Sequence, residues 1–100
     1  MSVVQVSDDA AASRFEGRID GHLVGIAEYA LTADRIVFTH TEVDPAYEGH
    51  GVGSAIARIA LDSVREDGTR SVVPLCPFFK SYIDKHPAYQ DLVHPQPRPG

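Results

Sequence analysis

The residues of this 100-residue chain best equipped for chemistry lie between His40 and His86. Cys76 precedes Pro77 and the apolar pair Phe78-Phe79, so it stands where a helix begins, and helix N-termini are a setting of reactive thiols. Beside Leu75 and Phe78 the same thiol also reads as a small buried hydrophobe. His40 and Glu42 stand two apart in a β-branched stretch, which puts them on one face of a strand. An imidazole can take a proton near neutral pH, and a carboxylate beside it can position a cation. The plainer reading is a hydrogen-bonded sheet histidine beside a solvated glutamate. "EGHGVGSA" (48–55) places Gly49, Gly51 and Gly53 directly before an amphipathic stretch. The first amides of a helix are free and its dipole adds positive charge, so glycines there admit an anion to the backbone. A tight turn alone needs only one glycine.

Spacing excludes several chemistries. No lysine follows the glycines, so the loop is not a Walker loop. A dinucleotide fingerprint fails too, because Ser54 stands where its last glycine belongs, and the loop follows antiparallel strands. The histidines (22, 40, 50, 86 and 94) show no metal spacing, and one cysteine cannot build a zinc site, so no metal is expected. A net charge of −5 without a basic stripe argues against nucleic acid and tolerates a cationic substrate. No apolar run is long enough to span a membrane. "MSVVQVSDDA" lacks the features of a signal peptide, and a lone cysteine suits a reducing compartment, so the expected location is cytoplasmic.

These residues need elements to position them. "VVQVS" (3–7) reads as a short strand, followed by a soft loop "DDAAA". "RFEGRI" (14–19) alternates apolar and charged residues at strand period, and Asp20-Gly21 is a two-residue hairpin signal. "HLVGIAEYAL" (22–31) returns as a strand, and "RIVFTHTEV" (35–43) is a central one. After the glycines, Val52, Ile56, Ile59, Ala60 and Val64 form one apolar helix face that ends at Asp67-Gly68. "RSVVPLC" (70–76) is a further strand, in which Pro74 implies a bulge or splay. Pro77 suits the first turn of a second helix. "PAYQDLV" adds a last turn, and "VHPQPRPG" (93–100) has too many prolines for helix or ladder. The order βββ(β)–α–β–α predicts a single α+β domain over 1–93, mostly antiparallel, with a proline-rich tail at 94–100.

"VDPAYEGHGVGSAIA" resembles the acetyl-coenzyme A loop of the GNAT superfamily of N-acetyltransferases, whose pattern is [QR]-x-x-G-x-[GA]. "PLCPFFKSYIDKHPAYQDLV" (74–93) resembles the matching segment of the small stand-alone proteins of that superfamily, with Cys-Pro-Phe, a Tyr and His-Pro-x-Tyr at these spacings. The likeness runs from Ile19 to Val93, and it implies acetyl-CoA as acyl donor and an amine of unknown identity as acceptor. By resemblance the amides of Gly49, His50, Gly51, Val52, Gly53 and Ser54 hold the pyrophosphate. Thr41, Glu42 and Val43 run beside the pantetheine, and Pro77, Phe78 and Lys80 flank the coenzyme. Cys76 lies near the thioester, and Tyr82 protonates the departing thiolate, as a tyrosine does in larger relatives; His40, from its place on the strand, is the candidate to deprotonate the amine. His86-Pro87 replaces the Gly-Phe that follows that tyrosine there. Glu48 departs from the motif's usual Gln or Arg and brings a carboxylate toward the pyrophosphate, which a protonated His50 would offset. The same residues also suit a CoA-binding module without turnover, since a short chain leaves little to build an acceptor pocket.

Overall fold

The computed structural model describes residues 3–94. Five strands form one sheet in chain order: β1 (Gln5–Asp9), β2 (Arg14–Ile19), β3 (His22–Leu31), β4 (Arg35–Val43) and β5 (Ser71–Pro74). The first four pair antiparallel, and β5 pairs parallel to β4, so the sheet is mixed and mostly antiparallel. A parallel pair needs a crossover. Helix α1 (Val52–Asp67) supplies it, and α2 (Pro77–Lys85) follows β5.

Local chemistry sets most boundaries. Asp20 and Gly21 take positive φ angles of 50° and 81°, as a two-residue turn between twisted strands requires. Helix α1 ends at Gly68, whose amide bonds the Val64 carbonyl at 3.0 Å from a left-handed conformation. Its inner face is Val52, Gly53, Ile56, Ala57, Ala60, Leu61 and Val64, with Ile59 only half-buried at the edge. It lies almost directly on the sheet: a methyl group at Gly25 would sit 2.7 Å from Val52 Cγ1. Helix α2 docks through Phe79, which stacks on Phe38 with ring centroids 4.1 Å apart. Phe38 in turn meets Phe15 and Tyr29, so both helices cover one face of the sheet and share one core. The other face carries Arg14, Glu16, Arg18, Glu28, His40 and Glu42, and no helix among the described residues crosses it.

Two expectations shift. The first strand runs Gln5–Asp9 rather than 3–7, because both aspartates find partners that keep them in the ladder. Tyr29 donates to Asp8 at 2.6 Å, and Asp9 accepts from the Ala12 amide to cap a short 3-10 turn, Ala10–Ala12. At the other end, Val93 bridges to Val72, and the His94 amide bonds the Val72 carbonyl at 2.7 Å. An edge strand with an unmet carbonyl takes up the passing chain, so the start of the "VHPQPRPG" stretch does join the sheet. The rest of the expected tail lies outside the described residues. No helix among the described residues is long and apolar enough to cross a membrane.

Candidate functional site

Strands β4 and β5 part company halfway along β4. Their pairing runs from Arg35–Ser71 to Phe38–Pro74 and closes with the Cys76 amide on the Phe38 carbonyl at 2.9 Å. Pro74 cannot donate to a ladder. Leu75, 66% exposed, folds back so that its amide meets the Val73 carbonyl. Beyond Phe38, β4 continues from Thr39 to Val43 with a partner only on the β3 side, which opens a slot between the strands. The slot has a short polar contact at its inner end, Cys76 Sγ to Thr41 Oγ1 at 3.1 Å.

A bulge decides which side chains face the slot. Glu28 pairs with His40 but Tyr29 pairs with Phe38, leaving Thr39 as an extra residue on β4. Ile36 and Phe38 therefore point into the core, while His40 and Glu42, of the same parity, point to the opposite face. Thr41 reaches Cys76, and Val43 lines the groove with Val52 and Phe78. His40 Nε2 and Glu42 Oε2 are 3.6 Å apart, at side chains 54% and 72% exposed.

The glycine loop closes the mouth of the slot. A groove of about 320 Å³ is lined by Val43, Tyr47, Glu48, Gly49, Gly51, Val52, Gly53, Ser54 and Phe78. Gly49 and Gly51 have φ of 83° and 73°, and a methyl group on either would meet nothing within 4 Å. Both are glycine for their backbone angle, and the space over them is open. Gly53 is glycine for a different reason: a methyl group there would lie 2.7 Å from Phe78 Cζ. Helix α1 has no side-chain cap, and its first internal bond runs from the Ala55 amide to the Gly51 carbonyl. The amides of Gly51, Val52, Gly53 and Ser54 are thus free, while that of His50 is turned to the Tyr47 carbonyl at 3.2 Å. Four free amides, a helix N-terminus and an open groove suit a phosphate. Glu48 is exposed and makes no ion pair among the described residues.

The remaining site residues divide between this groove and a second cavity. Pro77 opens α2 and is exposed; Phe78 forms the rim shared by both cavities. Lys80 turns away, to Asp84 at 3.4 Å and a different hollow beside Val73 and Leu75. Tyr82 lines the second cavity with Ser54, Phe78, Ser81, Lys85 and His86. Its ring is buried and stacks on His86, with centroids 4.0 Å apart, and burial raises its phenol pKa above the ordinary value. His86 fastens there by Nδ1 to the Tyr82 carbonyl at 2.8 Å, a cap on the end of α2. The following turn is tied to α1: Tyr89 donates to Asp62 at 2.7 Å, and Arg65 grips Asp91 and the Ala88 carbonyl.

One residue and one contact were missed by sequence reasoning. Tyr47 lines the groove, accepts the His50 amide and packs edge-on to the His50 ring. Asp44-Pro45, an N-cap followed by proline, is the local signal for the short turn that holds it. Thr41's hydroxyl contact with Cys76 spans 35 residues and left no local signal.

Known proteins place this geometry in a family. The description "GCN5-related N-acetyl-transferase" matches residues 14–92. Protein NATD1 of Gallus gallus is 34% identical over 96 residues, spanning 94% of this chain and 86% of that protein. Its counterpart in Homo sapiens is 32% identical over 96 residues, spanning 94% of this chain and 84% of the human protein. A GCN5-like protein from Staphylococcus aureus has the same fold, with a TM-score of 0.70 at 21% identity over 97% of this chain and 94% of that one. A ribosomal-protein-alanine N-acetyltransferase from Brucella melitensis gives a TM-score of 0.57 at 18% identity, over 87% of this chain and 66% of its own. A slot between β4 and β5, a glycine loop at its mouth and a match over most of the chain lead to one assignment: the chain belongs to the GCN5-related N-acetyltransferases.

Proposed function

We propose that this protein transfers acetyl from acetyl-CoA to an amine. The observation that carries the reading is the departure of β5 from β4 at Phe38, with four free amides at the mouth of the slot it opens. The diphosphate sits on Gly51 to Ser54, and the pantetheine arm runs along Thr41 and Val43 to put the thioester beside Cys76. An acceptor comes from the other side of the sheet, where His40 and Glu42 stand exposed. Glu42 attracts the ammonium and His40 takes its proton. The free amine attacks the thioester carbonyl carbon, the C–S bond breaks, and the departing thiolate takes the proton that the acylated nitrogen gives up. In a two-step variant the Cys76 sulfur takes the acetyl group first and passes it to the amine.

Calorimetry with acetyl-CoA and a thiol-release assay over a panel of amines and lysine peptides test this. Saturable binding and amine-dependent thiol release are expected. Binding without release above the uncatalysed rate leaves only a coenzyme-binding module. For the two-step variant, full turnover by Cys76→Ala removes it, and an acetyl group trapped on Cys76 supports it.

A further inference from the structure

A second cavity, of about 110 Å³, opens beside the glycine-loop groove and shares Ser54 and Phe78 with it. Ser81, Tyr82, Lys85 and His86 complete its wall. Its lining contains no carboxylate, in a chain of net charge −5. Two serine hydroxyls, a phenol and an ammonium can donate hydrogen bonds into it, with an imidazole beside them. The imidazole is held in place, because Nδ1 donates to the Tyr82 carbonyl and the ring stacks on Tyr82. Nε2 is left as its remaining polar atom. Of the chain's two lysines, Lys80 is spent on Asp84, whereas Lys85 makes no ion pair among the described residues. The cavity is small and opens to solvent, with room for one tetrahedral anion.

We infer that this cavity binds a phosphomonoester, the 3′-phosphate on the ribose of coenzyme A. The inference rests on the coenzyme reading proposed above and adds the residues that tell this coenzyme from its dephosphorylated form. A ligand whose diphosphate lies on Gly51 to Ser54 leaves that groove past Ser54 and Phe78, and the next cavity on that path is this one. A phosphomonoester carries about −1.5 to −2 charges at pH 7. Lys85 supplies the opposing charge, and Ser54 and Ser81 supply neutral donors.

Calorimetry with coenzyme A and with 3′-dephospho-coenzyme A tests the assignment, on the native protein and on Lys85→Gln, Ser81→Ala and Lys80→Gln. The native protein is expected to bind coenzyme A about tenfold or more tightly than the dephospho form. Lys85→Gln should cut that preference to about twofold while leaving the dephospho affinity unchanged. Ser81→Ala should cut it in part, and Lys80→Gln should leave it intact. Equal native affinity for the two ligands overturns the inference and leaves the coenzyme reading standing. A loss of preference as large in Lys80→Gln as in Lys85→Gln also overturns it, since that reports overall charge and not this cavity. Failure of both ligands to bind removes the coenzyme reading, and this inference with it. Inorganic phosphate competing equally well against both ligands places the free anion on the loop and overturns the assignment here.

Discussion

Replacing Gly53 by alanine should weaken coenzyme affinity while leaving stability almost unchanged. The new methyl carbon would start 2.7 Å from Phe78 Cζ and 3.1 Å from Cε2. Carbon atoms pack at ~3.5–4.0 Å, so the ring must retreat by roughly 1 Å. It can do so, because Phe78 is 38% exposed and its ring is the free end of a side chain. Phe78 walls the groove over the glycine loop, so a displaced ring reshapes that groove. Meanwhile alanine is favoured over glycine in a helix by at most about 1 kcal/mol. In a domain of this size that is worth about 4–8 °C of Tm before the cost of moving the ring is subtracted. Gly53→Ala should therefore melt within a few degrees of the native protein, or slightly above it. Its Kd for acetyl-CoA should weaken about tenfold, a loss of ~1.4 kcal/mol. Thermal melts and calorimetry read the two quantities separately. Adding Phe78→Ala should cancel the effect, so that the double variant binds like Phe78→Ala alone. A Tm loss above about 8 °C would refute the idea that the ring yields. An unchanged Kd in Gly53→Ala would refute the idea that Phe78 bounds the coenzyme path.

Gly51→Ala places a side chain in open space but at φ 73°, so it should cost about 1 kcal/mol from backbone strain alone and lower the Tm by about 4–8 °C. Glu16, 6% exposed, is bracketed by Arg14 and Arg18 at 2.8 Å each, and their hydrogen bonds hold its carboxyl below the ordinary range. Its contribution is present above its unfolded pKa and lost as pH falls through the lower folded one, so Glu16→Gln should be less stable at pH 7 and show a flatter acid limb in pH-dependent melts. Tyr89 is pushed up to about 12 by its bond to Asp62 and by burial. A raised folded pKa stabilises below pH 10 and is lost as pH climbs from 10 to 12, so Tyr89→Phe should cost about 0.5–1.5 kcal/mol at neutral pH and flatten that alkaline loss.

Much of the sheet was legible because its signals are local. Strands β2, β3 and β4 begin and end where period-two patterning meets Asp20-Gly21 and the Thr32–Asp34 turn. The span of α1 was legible from an apolar face closed by Gly68. What was not legible came from contacts between distant segments. Asp8 and Asp9 look like loop residues until Tyr29, twenty-one residues on, donates to the first of them. Tyr82 sits at helix spacing from Pro77, but its surroundings are set by Arg58 and Asp62 of α1 and by His86. Arg58 and Asp62 stand twenty or more residues before it, so its own segment does not place them. The glycine loop shows the same division. Its position before a helix implies free amides, yet which glycine serves the backbone angle and which serves Phe78 depends on α2, more than twenty residues away.

The bulge at Thr39 ties these pieces together. Strict alternation along β4 would carry the inward parity of Ile36 and Phe38 on to His40 and Glu42, putting an imidazole and a carboxylate against α1 and α2. Burial of two such groups without partners would cost several kcal/mol. One extra residue reverses the parity, sending His40 and Glu42 to the open face and turning Thr41 and Val43 toward Cys76 and Phe78. The same strand therefore offers apolar and hydroxyl groups to one side and ionisable groups to the other. That is the division the proposed acetyl transfer requires, with its acyl donor against the helices and its amine arriving from water. The parting of β5 at Pro74 makes the two sides communicate. Parity reversal comes at Thr39 and loss of the ladder one residue earlier, at Phe38, so a single stretch of β4 sets both the slot and the side chains on each of its faces.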